Sequence, residues 1–305
     1  MRRAFGGPLI AATLMASLLR TAIAAAIFCV LAPAQDFSKI TFEMVGKNFV
    51  FTEGPVWTRD GALIFSDPSA DKIWKWTPGS DAVSFRAPAN GASGNAVDSQ
   101  GRLYTCETHA RRVTRTNLKD GRIEVVADQW DGRKLNAPCD LAVSKSDHVY
   151  FTDPAFGQQQ DRRELDFYGV YHMPPKGPLK LVAKAAGRPH GIAISPNGRV
   201  LYVTNADERN VRAYDLDHNG DASGERVLVA RTDGIPGGLK VSEKGELYVA
   251  TAKGIAIYSA QGAPIHTIPM RDRPSNCAFD PQGTWLYVTA RGFLYRIRLD
   301  GKVSN

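Results

Sequence analysis

His190-Gly-Ile-Ala-Ile194, the turn Ser195-Pro-Asn-Gly198 and then Val200-Leu-Tyr-Val-Thr-Asn205 form the stretch that decides the fold. A polar residue leads into an apolar run, a turn ending in glycine reverses the chain, and a β-branched and aromatic run follows, which is the pattern of an antiparallel hairpin. The phrase occurs five more times. Upstream it is Glu53-Gly-Pro-Val-Trp57 with Ile64-Phe-Ser-Asp67, Asn95-Ala-Val with Leu103-Tyr-Thr-Cys106, and Cys139-Asp-Leu-Ala-Val143 with Val149-Tyr-Phe-Thr-Asp153. Downstream it is Gly237-Gly-Leu-Lys-Val241 with Leu247-Tyr-Val-Ala-Thr251, and Asn276-Cys-Ala-Phe279 with Leu286-Tyr-Val-Thr-Ala290. From one lead residue to the next the steps are 42, 44, 51, 47 and 39 residues. That period belongs to four-stranded propeller blades, so the sequence predicts an all-β, six-bladed β-propeller around a central channel.

In such a wheel the residue that opens each inner strand faces the axis. By this count the six are Glu53, Asn95, Cys139, His190, Gly237 and Asn276, mostly polar or metal-ligating, whereas the residues after them are apolar. Thr58-Arg-Asp-Gly61, Asp98-Ser-Gln-Gly101, Ser242-Glu-Lys-Gly245 and Asp280-Pro-Gln-Gly283 read as the hairpin turns within blades. Asp67, Asp153 and Asp207, at strand ends, read as turn anchors. The segment from Ile40 to Val50 is expected to complete the last blade and so remove the free edges of the ring.

Residues 1–34 read as an export signal: Arg2 and Arg3, an apolar stretch from Ala22 to Leu31 too short to span a bilayer, and the small-x-small signature Ala32-Pro-Ala34 before Gln35. The expected location is periplasmic or extracellular, without a stable membrane anchor, and residues 35–305 form a single domain. The formal charge of +7 falls to about +4 once Arg2, Arg3 and Arg20 are removed. The basic residues are scattered over loops, with no basic helix or aromatic strand face, which argues against a nucleic-acid partner and for a small-molecule one. Cys106, Cys139 and Cys277 remain after cleavage, an odd number that allows at most one disulfide.

Thr52-Glu-Gly-Pro-Val-Trp57, Gly101-Arg-Leu-Tyr-Thr-Cys-Glu107, Leu135-Asn-Ala-Pro-Cys-Asp140, Tyr150-Phe-Thr-Asp-Pro154 and Pro274-Ser-Asn-Cys-Ala-Phe279 resemble, in order and over the whole mature chain, the gluconolactonase/senescence-marker-protein/luciferin-regenerating-enzyme family. The resemblance implies a six-bladed propeller with a divalent metal in its channel that assists lactone hydrolysis. It also implies four metal ligands, of which Glu53 matches. Cys139 stands in place of an Asn, His190 in place of an Asn, and Gly237 in place of an Asp.

Exchanging hard oxygen donors for Cys and His suits zinc better than calcium, so Glu53, Cys139 and His190 form a candidate divalent-metal set with one position open. A metal-free alternative makes His190 a general base oriented by Glu53, with Asn95 and Asn276 placing substrate and Asp140 as a second candidate base. A Cys139 nucleophile paired with His190 is a third arrangement. Arg188, Arg133, Arg273, His109, His172 and Tyr168 lie in segments able to reach the channel mouth, and Arg188 suits a carboxylate or hydroxyl of a sugar acid. The expected function is an exported gluconolactonase-like hydrolase of a lactone or small ester. The alternatives are a non-catalytic propeller that binds a small carbohydrate or acid, or an enzyme of altered chemistry.

Overall fold

A computed structural model describes Phe37 and residues 40–299 of the 305-residue chain; the expected signal segment lies outside them. Six four-stranded antiparallel sheets follow one another around the ring. Blade 1 is Glu53–Trp57, Leu63–Asp67, Lys72–Trp76 and Val83–Arg86, and blade 2 is Ala92–Val97, Leu103–Glu107, Arg112–Thr116 and Ile123–Ala127. Blade 3 begins at Leu141–Val143, blade 4 at Pro189–Ile194 and blade 5 at Leu239–Val241. Blade 6 takes three strands from Pro274 to Arg298 and its outermost from Phe42–Gly46, which pairs Phe42 with Ile297 and Met44 with Tyr295. The segment before blade 1 therefore closes the ring, as the sequence predicted.

The repeated Leu-Tyr pair explains how the blades stack. Alternation along a strand sends every second side chain to the same face. Ile64, Tyr104, Tyr150, Tyr202, Tyr248 and Tyr287 hold the same place in successive blades, each in the apolar cluster shared with the following blade. Six clusters thus fill six interfaces, and the last joins Tyr287 to Leu63 and Trp76 of blade 1. A fully buried side chain of this kind contributes roughly 2–3 kcal/mol of transfer free energy. The turns are as predicted: Gly61, Gly101, Gly198, Gly245 and Gly283 all have positive φ, and each N–H donates to the carbonyl three residues back.

Two excursions depart from the plain wheel. A short ribbon, Gln129–Trp130 with Arg133–Lys134, leads into blade 3. A 3₁₀ turn, Gly157–Arg162, interrupts blade 3 between its second and third strands and carries Phe156 at its start.

Candidate active site

Strand pairing fixes which residue leads each blade. Val56 pairs with Ile64, Ala96 with Tyr104, Ala142 with Tyr150, Ala193 with Tyr202, Lys240 with Tyr248 and Ala278 with Tyr287. Counting three residues back gives the opening layer: Glu53, Ser93, Cys139, His190, Gly237 and Ser275. The backbone agrees, since Gly94 N–H donates to the Cys139 carbonyl and Gly238 N–H to that of Ser275, each joining one blade to the next. Asn95 and Asn276 are therefore not at the opening position. Asn95 lies two residues after that position and Asn276 one residue after it.

Asn95 is turned away from the axis. Its amide donates to the Gly54 carbonyl at 2.9 Å and the Ser66 hydroxyl at 2.7 Å, and its carbonyl accepts from Thr105 at 2.8 Å. Every polar atom is engaged between blades 1 and 2, so Asn95 does not position substrate. Asn276 belongs to the second layer with Gly54, Gly94, Asp140, Gly191 and Gly238. Four of these are glycines because the blades converge there: a Cβ at Gly54 would lie 2.1 Å from the Ser93 carbonyl oxygen. The two larger members, on opposite blades, meet across the axis, where Asn276 Nδ2 donates to Asp140 Oδ2 at 3.2 Å. This pair forms a floor, and the other Asp140 oxygen accepts from Leu141 N–H.

Above the floor is a cavity of about 280 Å³ lined by Glu53, His190, Gly237 and Ser275, with Phe51, Phe156, Arg188, Arg273 and Arg291 toward its rim. Glu53 is buried, and Gly54 N–H donates to its Oε2 at 3.0 Å. Loss of solvent, followed by the Asp140 charge, pushes its carboxyl up to about 8, against smaller opposing help from the Gly54 N–H and the Asn276 amide. Burial moves the His190 imidazole the other way, below its ordinary value, with the Arg273 charge adding to the effect and Asp140 opposing it. His190 Nδ1 is buried and has no hydrogen-bond partner. At neutral pH the cavity thus presents a carboxylic acid and a neutral imidazole.

The rim is layered. The Arg188 guanidinium lies 5.0 Å from the Phe156 ring, which is 5.5 Å from the His190 ring. Asp207 pairs with Arg188, its carboxylate accepting from Nε at 2.9 Å and from the backbone N–H at 2.8 Å. Asp67 and Asp153 do anchor chain ends, accepting backbone N–H groups of Val50 and Phe51, and of Asn136 and Ala137. Of the other expected rim residues, Arg273 is present. His172 is buried away from the mouth, stacked on Tyr150 and hydrogen-bonded to His148 at 2.8 Å. Arg133 faces Glu164 and Asp166 instead, and Tyr168 donates to Gln160. His109 lies against Gly91.

The candidate metal set is not gathered. Among the described residues no three His, Cys, Asp or Glu side chains stand close enough to share an ion. Cys139 is buried beside Ser93, its Sγ 4.0 Å from the serine hydroxyl, and is not part of the cavity wall. Burial, with Glu53 and Asp140 nearby, pushes its thiol far up, which also disfavours a thiolate nucleophile. Gly237 could not carry the family's Asp in this backbone, because a Cβ there would lie 2.2 Å from the Ser275 carbonyl oxygen. The residues present do not fit the metal site that the resemblance implied, whether for zinc or calcium. The three cysteines are free and buried.

Sequence reasoning missed Ser93, Ser275, Phe51, Phe156 and Arg291. The first two were reachable: each opening residue lies 11 or 12 positions before the Tyr of the blade's second strand, or before Ile64 in blade 1. The rim residues come from loops and carried no periodic signal.

Fold and cavity together define a six-bladed propeller whose channel mouth holds a cavity lined by a buried carboxyl and an imidazole. Residues 51–292 match the SMP-30/gluconolactonase/LRE-like region, and the chain belongs to that family. It is 31% identical over 286 residues to the gluconolactonase of Zymomonas mobilis, covering 84% of this chain and 80% of that protein. The solved structure of a gluconolactonase from Xanthomonas campestris superposes with a TM-score of 0.80 at 29% identity, over 85% of this chain and 89% of that one. Regucalcin of Xenopus laevis is 24% identical over 81% of this chain and 85% of its own length.

Proposed function

We propose that the chain is an exported lactonase-type hydrolase that opens a small lactone or related ester with Glu53 and His190 as its acid and base. Export rests on the signal-like first 34 residues, and the reaction class on the family and its gluconolactonase relatives. The observation that carries the chemistry is that one cavity holds two titratable groups driven in opposite directions, Glu53 up and His190 down. Such a divergence marks an acid and a base working at the same pH.

Neutral His190 accepts a proton from water as the water oxygen bonds to the substrate carbonyl carbon. As the carbonyl re-forms, the ring carbon–oxygen bond breaks and the Glu53 carboxylic acid protonates the departing alkoxide. Water, relaying the proton from His190 back to Glu53, resets both groups, and the product is the hydroxy acid. Asp140 and Asn276 act through Glu53: one charge raises it and one amide orients it. Arg188 stiffens the rim through Phe156.

A pH-stat assay over a lactone panel tests this reading. Turnover that disappears in both Glu53→Gln and His190→Ala is the expected result. Saturable binding without turnover of any lactone refutes it and leaves the non-catalytic propeller.

A further inference from the structure

The cavity rim carries more positive charge than ester hydrolysis calls for. Three guanidinium groups, Arg188, Arg273 and Arg291, line it, and the only carboxyl in the same wall is Glu53. Asp207 neutralises Arg188. Arg273 is held by a hydrogen bond from Nη2 to the Ile235 carbonyl at 3.2 Å, which fixes its position without cancelling its charge. Two cationic groups therefore face a small concave space with no compensating anion in its wall. Both charges are thus free for a substrate that arrives with its own, and the two oxygens of a carboxylate suit a pair of guanidinium groups.

The remaining wall is apolar. Phe51, Phe156, Ala206, Ile235, Pro236 and Pro274 supply carbon surface, and Phe51 and Ile235 remain exposed at the rim. Beyond the arginines and the Glu53–His190 pair the wall offers one polar side chain, Ser275, which already donates its hydroxyl to the Thr52 carbonyl at 2.6 Å. A sugar ring bound there would leave hydroxyls unpaired against phenyl and prolyl groups, which is costly. The cavity, about 280 Å³, is at the small end for ligand sites.

We propose that the substrate is a small lactone with an apolar or aromatic ring and a carboxylate, the carboxylate bound by Arg273 and Arg291 and the ring lodged against Phe156 and Ile235. This deepens the hydrolase reading and rests on it for the word lactone, whereas the anion site stands on the rim alone. The carboxylate docks toward the rim, which leaves the lactone carbonyl to face Glu53 and His190.

Titration calorimetry at low ionic strength compares phthalide bearing a carboxylate with its carboxamide, neutral but nearly equal in shape. The carboxylate is expected to bind at least about tenfold tighter, and the advantage to fall below about threefold in Arg273→Gln, whose fold is checked by circular dichroism, and in the exposed Arg291→Gln. Equal affinities for the two compounds, or an advantage that both substitutions leave intact, overturns the proposal. Faster opening of glucono-lactone than of the carboxylate compound also overturns it while leaving the hydrolase reading in place. Preference for the carboxylate with no opening of any lactone supports the anion site and removes the hydrolase reading.

Discussion

Replacing Glu53 with Gln tests the site through stability as well as activity. Burial and the Asp140 charge hold the Glu53 carboxyl at about 8 in the folded protein, against an ordinary 4.5. Between those values the folded state keeps a proton that the unfolded state has released, so the folded state binds more protons. Stability from this group is fully present below pH 4.5 and is lost as pH rises toward 8. Each pH unit in the window costs about 1.4 kcal/mol, so by pH 7 the loss is about 3 kcal/mol relative to pH 4.5. Glutamine is nearly isosteric, its carbonyl can accept the Gly54 N–H, and it has no proton to lose. Glu53→Gln is therefore expected to match the wild type near pH 4.5 and to exceed it by about 3 kcal/mol at pH 7, while abolishing turnover. Denaturant unfolding of both proteins at several pH values between 4.5 and 8 measures the difference, with unrelated titrations cancelling in the comparison. A difference that does not change with pH, or a variant that is less stable at every pH, would falsify the view of Glu53 as a buried carboxylic acid.

Four further outcomes are expected. The rate of lactone opening, corrected for spontaneous hydrolysis, should follow a bell whose alkaline limb falls near pH 8 as Glu53 ionises. In Asp140→Asn both limbs should move toward acid, because the Asp140 charge raises both Glu53 and His190, and unchanged limbs would remove Asp140 from that role. Gly237→Asp should destabilise the fold by more than about 2 kcal/mol rather than rebuild a metal site, since its Cβ would meet the Ser275 carbonyl at 2.2 Å. Thermal denaturation checks this, and a wild-type Tm would show that the backbone yields there. Cys106, Cys139 and Cys277 are buried and all three thiols are pushed up, so none should react with a thiol reagent before denaturation. Loss of activity on native alkylation of Cys139 would return the thiol to the chemistry.

The wheel, its number of blades and its closure by the segment before blade 1 were legible in the chain, because each is a matter of period and pattern. Six hairpin phrases at blade spacing, with one aromatic at the same place in five of them and Ile64 in the sixth, leave few other ways to bury so many alternating faces. Glu53 and His190 were legible too, as polar residues where an apolar strand begins. What the repeated phrase did not convey was the opening register of blades 2 and 6. Asn95 stands two residues beyond the opening position and its side chain lies between blades 1 and 2, while Ser93, 11 residues before Tyr104, holds the opening place. Nor could it convey that Asp140 and Asn276, on opposite blades, touch across the axis, or that Gly237 is hemmed in by the next blade. The chemistry of the cavity depends on these through-space meetings, since the proton on Glu53 is set by burial and by a charge 87 residues away in sequence. Sequence alone determined the wheel because repetition is a local property read many times over. Tertiary structure alone decided the site, because desolvation and charge proximity exist only once the six blades have closed on their axis.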